Sequence, residues 1–111
     1  MKTVNLKEGM PLVRQAVMQM ERELAVARAE NCGLVKLIHG YGSTGAGGEI
    51  RMAVQKRLGE ICEQGQIRGF VFGENWATSD ERAWKLVNAH KELKQDRDLG
   101  KGNRGITIVE L

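Results

Sequence analysis

One histidine and five glycines, all between residues 39 and 48, form the stretch of this sequence best equipped to do chemistry. His39 follows the apolar run Leu34–Ile38, which predicts a mostly buried strand whose carboxyl end is a usual place for a ligand. Glycine adopts positive φ easily and lets a ligand approach the backbone closely. A glycine-rich turn that enters a helix presents free N–H groups, which favour an anion such as phosphate. The glycines are Gly40, Gly42, Gly45, Gly47 and Gly48.

This loop admits three interpretations. The run Gly40–Gly45 fits the G-x-G-x-x-G pattern of dinucleotide sites, and Glu60 or Glu63 has the right distance for the acidic partner. Both glutamates fall in the helix after the loop instead of at the end of the next strand, which disfavours a dinucleotide site. A Walker loop is excluded, because Glu49 follows the last glycine pair and no Gly-Lys-Ser/Thr is present. A surface connection without a ligand stays open as the third interpretation.

Composition bounds the remaining possibilities. A chain of 111 residues with 41% hydrophobic and 28% charged residues predicts one globular domain, residues 1–111. The formal net charge of +3 is compatible with a nucleic-acid partner but does not require one. Cys32 and Cys62 lack the spacing of a zinc site or a disulfide framework. The sequence has no apolar run of membrane-spanning length, so we expect a cytoplasmic protein without a membrane partner.

The hydrophobic pattern predicts the order β-α-β-α-β-β. Strands are expected at residues 3–6, 34–38, 67–72 and 105–111. A first helix should open at Met10-Pro11 and close with Gly33 as its left-handed cap, and a second should begin near Gly48. Because short crossovers through helices connect the first three strands, these strands should run parallel if they share a sheet.

A third helix is predicted between the last two strands. Thr78 and Glu81 have capping-box spacing, and the apolar stripe after them predicts a helix over residues 79–95. Trp84 on this stripe is assigned to the core, whereas Trp76 in a polar turn is left between a core residue and a platform for base stacking.

Taken together, His39-Gly40-Tyr41-Gly42, the helix opening Gly48-Glu49-Ile50-Arg51 and the terminal GKGNRGITIVEL resemble the small MutS-related (Smr) domain. The resemblance implies a two-layer α/β sandwich like the C-terminal domain of translation initiation factor three, with a mixed four-stranded sheet and helices on one face. It also implies binding of DNA or RNA. Several members of the family are nucleases, and some act on ribosome-associated messenger RNA.

The chain departs from the family in two places. The family motif L-D-x-H-G at the end of the first strand corresponds here to residues 4–9. Asn5 stands at the aspartate position, and Lys7 or Glu8 stands at the histidine position. An amide cannot act as a carboxylate base, and lysine is normally protonated at neutral pH, so of these residues only Glu8 could supply an acid. The second departure is the inserted helical segment at residues 76–99, which would cover the binding face or recruit another partner.

The leading hypothesis is a nucleic-acid-binding Smr-like domain with nuclease activity impaired or absent. The resemblance and the loop chemistry assign backbone contacts to Gly40 and Gly42, phosphate contacts to Ser43, Thr44 and Arg51, added charge to Lys101 and Arg104, and sugar or base contacts to His39 and Tyr41. One alternative is an active nicking or RNA-cleaving endonuclease that uses His39 with Glu8. Another is a nucleotide-binding or protein-interaction module built on the inserted helix, with the ribosome or a second protein as partner. No metal ligand is predicted, and the cofactor is left open, with a divalent cation considered only for a nuclease.

Overall fold

The computed structural model describes residues 1–41 and 46–111 of the chain, without the side chains of residues 46 and 47. In chain order, the regular elements are β1 (Lys2–Asn5), α1 (Val13–Ala29), β2 (Leu34–Ile38), α2 (Ala46–Glu63), β3 (Gly69–Phe72), α3 (Glu81–Ala89) and β4 (Ile106–Glu110), with 3₁₀ helices at Gly73–Asn75 and Lys91–Gln95. Within the described ranges, no helix is both long and apolar enough to cross a bilayer.

The four strands form one mixed sheet in the order β1-β2-β4-β3. β1 and β2 are parallel, while β4 runs antiparallel to both of its neighbours, β2 and β3. The first three strands therefore share one direction, as predicted, and the α/β fold with a mixed four-stranded sheet is confirmed. One edge of the sheet, which we call the carboxyl edge, collects the chain segments that follow Asn5, Ile38 and Phe72 together with the segment that precedes Ile106.

Both faces of the sheet are covered. α1 and α2 pack on the face that contains Val35, Leu37 and Val109. The inserted segment packs on the opposite face, where Leu34, Ile106 and Ile108 contact Trp76 and the apolar side of α3. The prediction that helices occupy one face thus holds for α1 and α2, whereas the insertion adds a third layer. The reason lies in β2 and β4, which are apolar on both faces and would expose one face to water without the insertion.

The helix ends differ from the prediction. α1 begins at Val13, because the chain turns through Gly9 and Met10, which both have positive φ. It ends with Asn31 in the left-handed region instead of Gly33, since asparagine tolerates that conformation better than other residues with a side chain. α2 begins at Ala46, two residues before the predicted start.

The strands also start at slightly different residues. β1 covers Lys2–Asn5 instead of residues 3–6, β3 begins at Gly69 instead of residue 67, and β4 lies inside the predicted range as Ile106–Glu110. These shifts of one or two residues change no side chain's face.

The helix of the inserted segment is shorter than predicted. The capping box at Thr78 was wrong: Asp80 is the N-cap of α3, and its side chain accepts a hydrogen bond from Ala83 N at 2.9 Å. The helix stops at Ala89 and continues as the 3₁₀ helix Lys91–Gln95. Trp76 is completely buried and donates from Nε1 to Asp96 Oδ2 at 2.9 Å, whereas Trp84 is 48% exposed. The assignment of Trp84 to the core was therefore wrong, and Trp76 is the core residue of the two.

Candidate nucleic-acid interface

One carbonyl group joins two segments of the carboxyl edge. The Gly105 carbonyl accepts hydrogen bonds from His39 N at 3.0 Å and Gly40 N at 3.1 Å. Gly40 has a φ of +76°, and Gly105 packs so closely that a Cβ there would lie 3.4 Å from Tyr41 Cδ1. The segment after β2 and the segment before β4 thus form one joint surface, although their residues are more than 60 positions apart in the sequence.

His39 is a buried part of this joint, with no exposed surface. Its Nδ1 lies 2.6 Å from the Gly40 carbonyl, so Nδ1–H is the donor there, and Nε2 accepts from the Thr107 hydroxyl at 2.9 Å. Burial lowers the pKa of His39 below its usual 6.5, and the positive charge of Arg51 acts in the same direction. The imidazole is consequently neutral at pH 7, with both nitrogens occupied, and it positions Gly40 and β4.

This burial predicts a loss of stability in mild acid. Because the pKa of folded His39 lies below 6.5, its contribution to the free energy of unfolding is fully present above about pH 6.5 and declines as the pH falls through the folded value. Chemical denaturation at steps from pH 7 to pH 5 should show this decline in the wild type. His39→Asn retains a donor near the Gly40 carbonyl but does not titrate, so its slope over the same range should be smaller. Equal slopes would contradict the assignment.

The loop after β1 forms the second part of the edge. Asn5 Oδ1 accepts hydrogen bonds from Lys7 N at 3.0 Å and Glu8 N at 3.1 Å, so the amide shapes the loop. Lys7 lies beside the segment after β2, since its Cδ is 3.5 Å from the point where a Cβ of Gly40 would be. Glu8 is exposed, but both nitrogens of His39 are engaged elsewhere. Glu8 and His39 therefore do not form an acid–base pair among the described contacts.

Arg51 is placed at this edge by the second turn of α2, and it is already paired. Its Nη2 donates to Glu74 Oε2 at 2.7 Å, and Glu74 lies in the 3₁₀ helix directly after β3. The charges of both residues act on His39, in opposite directions. Sequence reasoning missed Glu74, and its place just beyond the third strand's end was the one signal that pointed to it.

Lys101 and Arg104 are exposed in the turns that lead into β4. Gly100 and Gly102 have positive φ, and Gly100 N donates to the Trp76 carbonyl at 2.7 Å. Asn103, also missed from the sequence, donates to Asp98 Oδ1 at 3.0 Å and accepts from Gly105 N at 2.8 Å, which ties these turns to the sheet.

The carboxyl edge thus combines most of the residues proposed from the sequence, namely Glu8, His39, Gly40, Tyr41, Arg51, Lys101 and Arg104. The proposed contacts of Gly42, Ser43 and Thr44 lie outside the described residues. Within the described part of the chain, no group of three or more histidine, cysteine, aspartate or glutamate side chains is arranged to hold a metal ion.

No protein-family model and no curated protein matches the chain. Among solved structures, the chain is similar to the Smr domain of Thermus thermophilus MutS2, with a TM-score of 0.61 and 22% sequence identity. The match covers 100% of this chain and 98% of that one. The resemblance inferred from the sequence is therefore confirmed at the level of the fold: over its whole length, this chain has the fold of an Smr domain.

Proposed function

We propose that this protein is a nucleic-acid-binding domain that uses the carboxyl edge and has impaired or absent nuclease activity. The observation that carries the proposal is the double hydrogen bond to the Gly105 carbonyl, which joins His39 and Gly40, at the start of the glycine-rich loop, to the end of the basic turns before β4. The fold shared with the MutS2 Smr domain and the motifs around His39 support the same function.

The surface chemistry at this edge suits a polyanion. Lys7, Lys101 and Arg104 are exposed around the joint, and lysine and arginine supply most phosphate contacts in nucleic-acid complexes. Tyr41 is 58% exposed at the same place, and an exposed aromatic ring can stack on an unpaired base.

Two observations argue against efficient cleavage. Asn5 occupies the position where a carboxylate is expected, and its oxygen is used by two backbone amides of its own loop. His39 is neutral, buried and hydrogen-bonded at both nitrogens, so it has no free position for a substrate proton. Glu8 alone remains as an exposed acid beside the loop.

The test is a titration of the protein against labelled single-stranded RNA, duplex DNA and branched DNA with magnesium present, reading binding and cleavage from the same samples. We expect binding that weakens with salt and no cleavage. The double variant Lys101→Gln/Arg104→Gln should reduce the log-log salt slope by about 1.4 to 1.8, since each phosphate contact contributes roughly 0.7 to 0.9.

A matched control is Arg22→Gln/Lys56→Gln, which removes two exposed charges from positions far along α1 and α2. Equal slopes for the two double variants would contradict the proposed surface. Cleavage that disappears in His39→Ala would instead favour the active endonuclease, and Glu8 would then be the next residue to replace.

One observation favours interaction with a protein as a second candidate function. The inner side of the inserted segment is occupied by the sheet, but Trp84 remains 48% exposed on its outer side. Deletion of residues 79–95 would uncover the sheet, so a test of this surface requires substitution of Trp84. Absence of binding to all three nucleic acids would direct attention to this surface.

A further inference from the structure

The pair formed by Arg51 and Glu74 lies where the proposed function needs a free cation. Arg51 is the sixth residue of α2, and its Nη2 is 2.7 Å from Glu74 Oε2. The two side chains are partly buried, with 24% and 30% of their surface exposed. A phosphate that approaches this edge therefore meets an arginine whose charge is compensated by a carboxylate of the same chain.

The pair leaves polar atoms unsatisfied. Arg51 Nε, Glu74 Oε1 and Gln55 Nε2 are buried and have no hydrogen-bond partner among the residues that the structure describes. Such atoms cost free energy, because they have lost water without gaining a partner. The pair is thus poorly suited to be a purely structural ion pair.

A more deeply buried group of charges in the same domain shows the contrast. Lys36 contacts both Asp96 and Asp98, and Asp96 also accepts from Trp76 Nε1. Asp98 accepts a further hydrogen bond from Asn103. Among the described residues, no buried side-chain nitrogen or oxygen of this group lacks a hydrogen-bond partner, as expected for a contact that stabilises the fold.

We propose that Glu74 is an internal competitor of nucleic-acid phosphate for Arg51. This inference rests on the proposed function and adds an autoinhibitory contact to its binding surface. Glu74 holds the guanidinium through Nη2 in the free protein, and a phosphate that reaches Arg51 at the carboxyl edge exchanges with the carboxylate. The contact lowers affinity, because the Glu74 carboxylate must be displaced before Arg51 can pair with a phosphate.

The opposite role, in which Glu74 orients Arg51 toward the phosphate, makes the opposite prediction. Removal of an orienting partner weakens binding, whereas removal of a competitor strengthens it. The direction of the change in affinity therefore separates the two roles.

The experiment compares Glu74→Gln with Glu21→Gln in the RNA and DNA titrations. Glu21 pairs with Arg57 at 2.9 Å between α1 and α2, so its replacement also removes a carboxylate from an arginine and changes the net charge equally, but away from the carboxyl edge; Arg57 keeps its longer contact with Glu60. We expect Glu74→Gln to bind about tenfold more tightly, the effect of one additional charge-assisted contact, with a salt slope steeper by roughly 0.7 to 0.9. Glu21→Gln should change affinity by less than about twofold.

The gain should disappear in Arg51→Gln/Glu74→Gln, because the competitor acts through Arg51. Unchanged or weaker binding by Glu74→Gln, or an equal gain in Glu21→Gln, would overturn the inference while the proposed function stands if the wild type binds. Absence of binding by both the wild type and Glu74→Gln would overturn both. If Glu74→Gln does not fold, Glu74→Asp draws the carboxylate back by one methylene and should produce a smaller gain in the same direction.

Discussion

Replacement of Lys36 by methionine is expected to lower the free energy of unfolding at pH 7 by about 3 to 5 kcal/mol, the usual cost of leaving a buried charge unpaired. Lys36 is 5% exposed in the middle of β2, and its Nζ lies 2.9 Å from Asp96 Oδ1 and in contact with Asp98. Methionine fills similar space but leaves two largely buried carboxylates without a counter-charge. Chemical denaturation monitored by circular dichroism measures the effect.

The direction of the pKa shifts gives this prediction a pH dependence. Burial alone would raise the pKa of Asp98, but the hydrogen bonds from Lys36 and Asn103 lower it below 3.8. Its contribution to stability is therefore present above about pH 4 and is lost as the pH falls through the folded value. Burial also opposes the charge of Lys36, yet hydrogen bonds to Asp98 and Asp96 raise its pKa above 10.5. The contribution of Lys36 to stability is therefore lost only in strong alkali.

In Lys36→Met, Asp98 loses the lysine that lowers its pKa, so its carboxyl should take up a proton at a higher pH than in the wild type. The difference in stability between the two proteins should therefore narrow as the pH falls from 7 toward 4. The triple variant Lys36→Met/Asp96→Asn/Asp98→Asn serves as the control, because it removes all three charges and should recover most of the loss. A difference below about 1 kcal/mol at pH 7 would contradict the assigned role.

The elements that were predictable from sequence are those specified by local pattern. The apolar runs of β2 and β4 and the helical stripes of α1 and α2 determine the β-α-β units, and short crossovers then fix the direction of the first three strands. The glycine-rich loop and the turn before β4 were grouped into one proposed site through the resemblance to the Smr domain, because the direction of β4 could not be predicted from local pattern. The predictions of strands and helices need only residues that are close in the sequence.

The parts that could not be predicted depend on contacts across the chain. Lys36 interrupts an apolar strand, and its partner Asp96 lies 60 residues away. Trp76 is in a polar turn, yet it is buried, and Asp96 accepts its indole N–H. Trp84 is on an apolar stripe, yet it is half exposed. Similarly, the histidine motif does not reveal that Thr107 and the Gly40 carbonyl occupy both ring nitrogens of His39. Burial and pairing of polar groups are tertiary properties.

The largest loss of stability is expected from Gly73→Ala. A Cβ on Gly73 would lie 1.8 Å from the Asn103 carbonyl oxygen and 2.7 Å from the Ile106 carbonyl oxygen, and both are backbone atoms that cannot rotate away. The 3₁₀ helix after β3 must therefore separate from the turn before β4, at a cost of about 4 kcal/mol or more. Gly59→Ala is the matched control, since nothing lies within 4 Å of its Cβ position in α2 and the change should stabilise the helix by roughly 0.5 to 1 kcal/mol.

The same substitution tests how the binding surface is built. Asn103 Oδ1 accepts the hydrogen bond of Gly105 N, and the Gly105 carbonyl in turn holds the amides of His39 and Gly40. A displaced turn at residue 103 should consequently loosen the joint between the glycine-rich loop and the basic turn, so any Gly73→Ala protein that still folds should bind nucleic acid less tightly than Gly59→Ala. Denaturation curves and salt titrations on the two variants measure both effects. Equal stability would mean that the turn moves without cost, and equal binding would mean that the carboxyl edge does not depend on this close backbone contact.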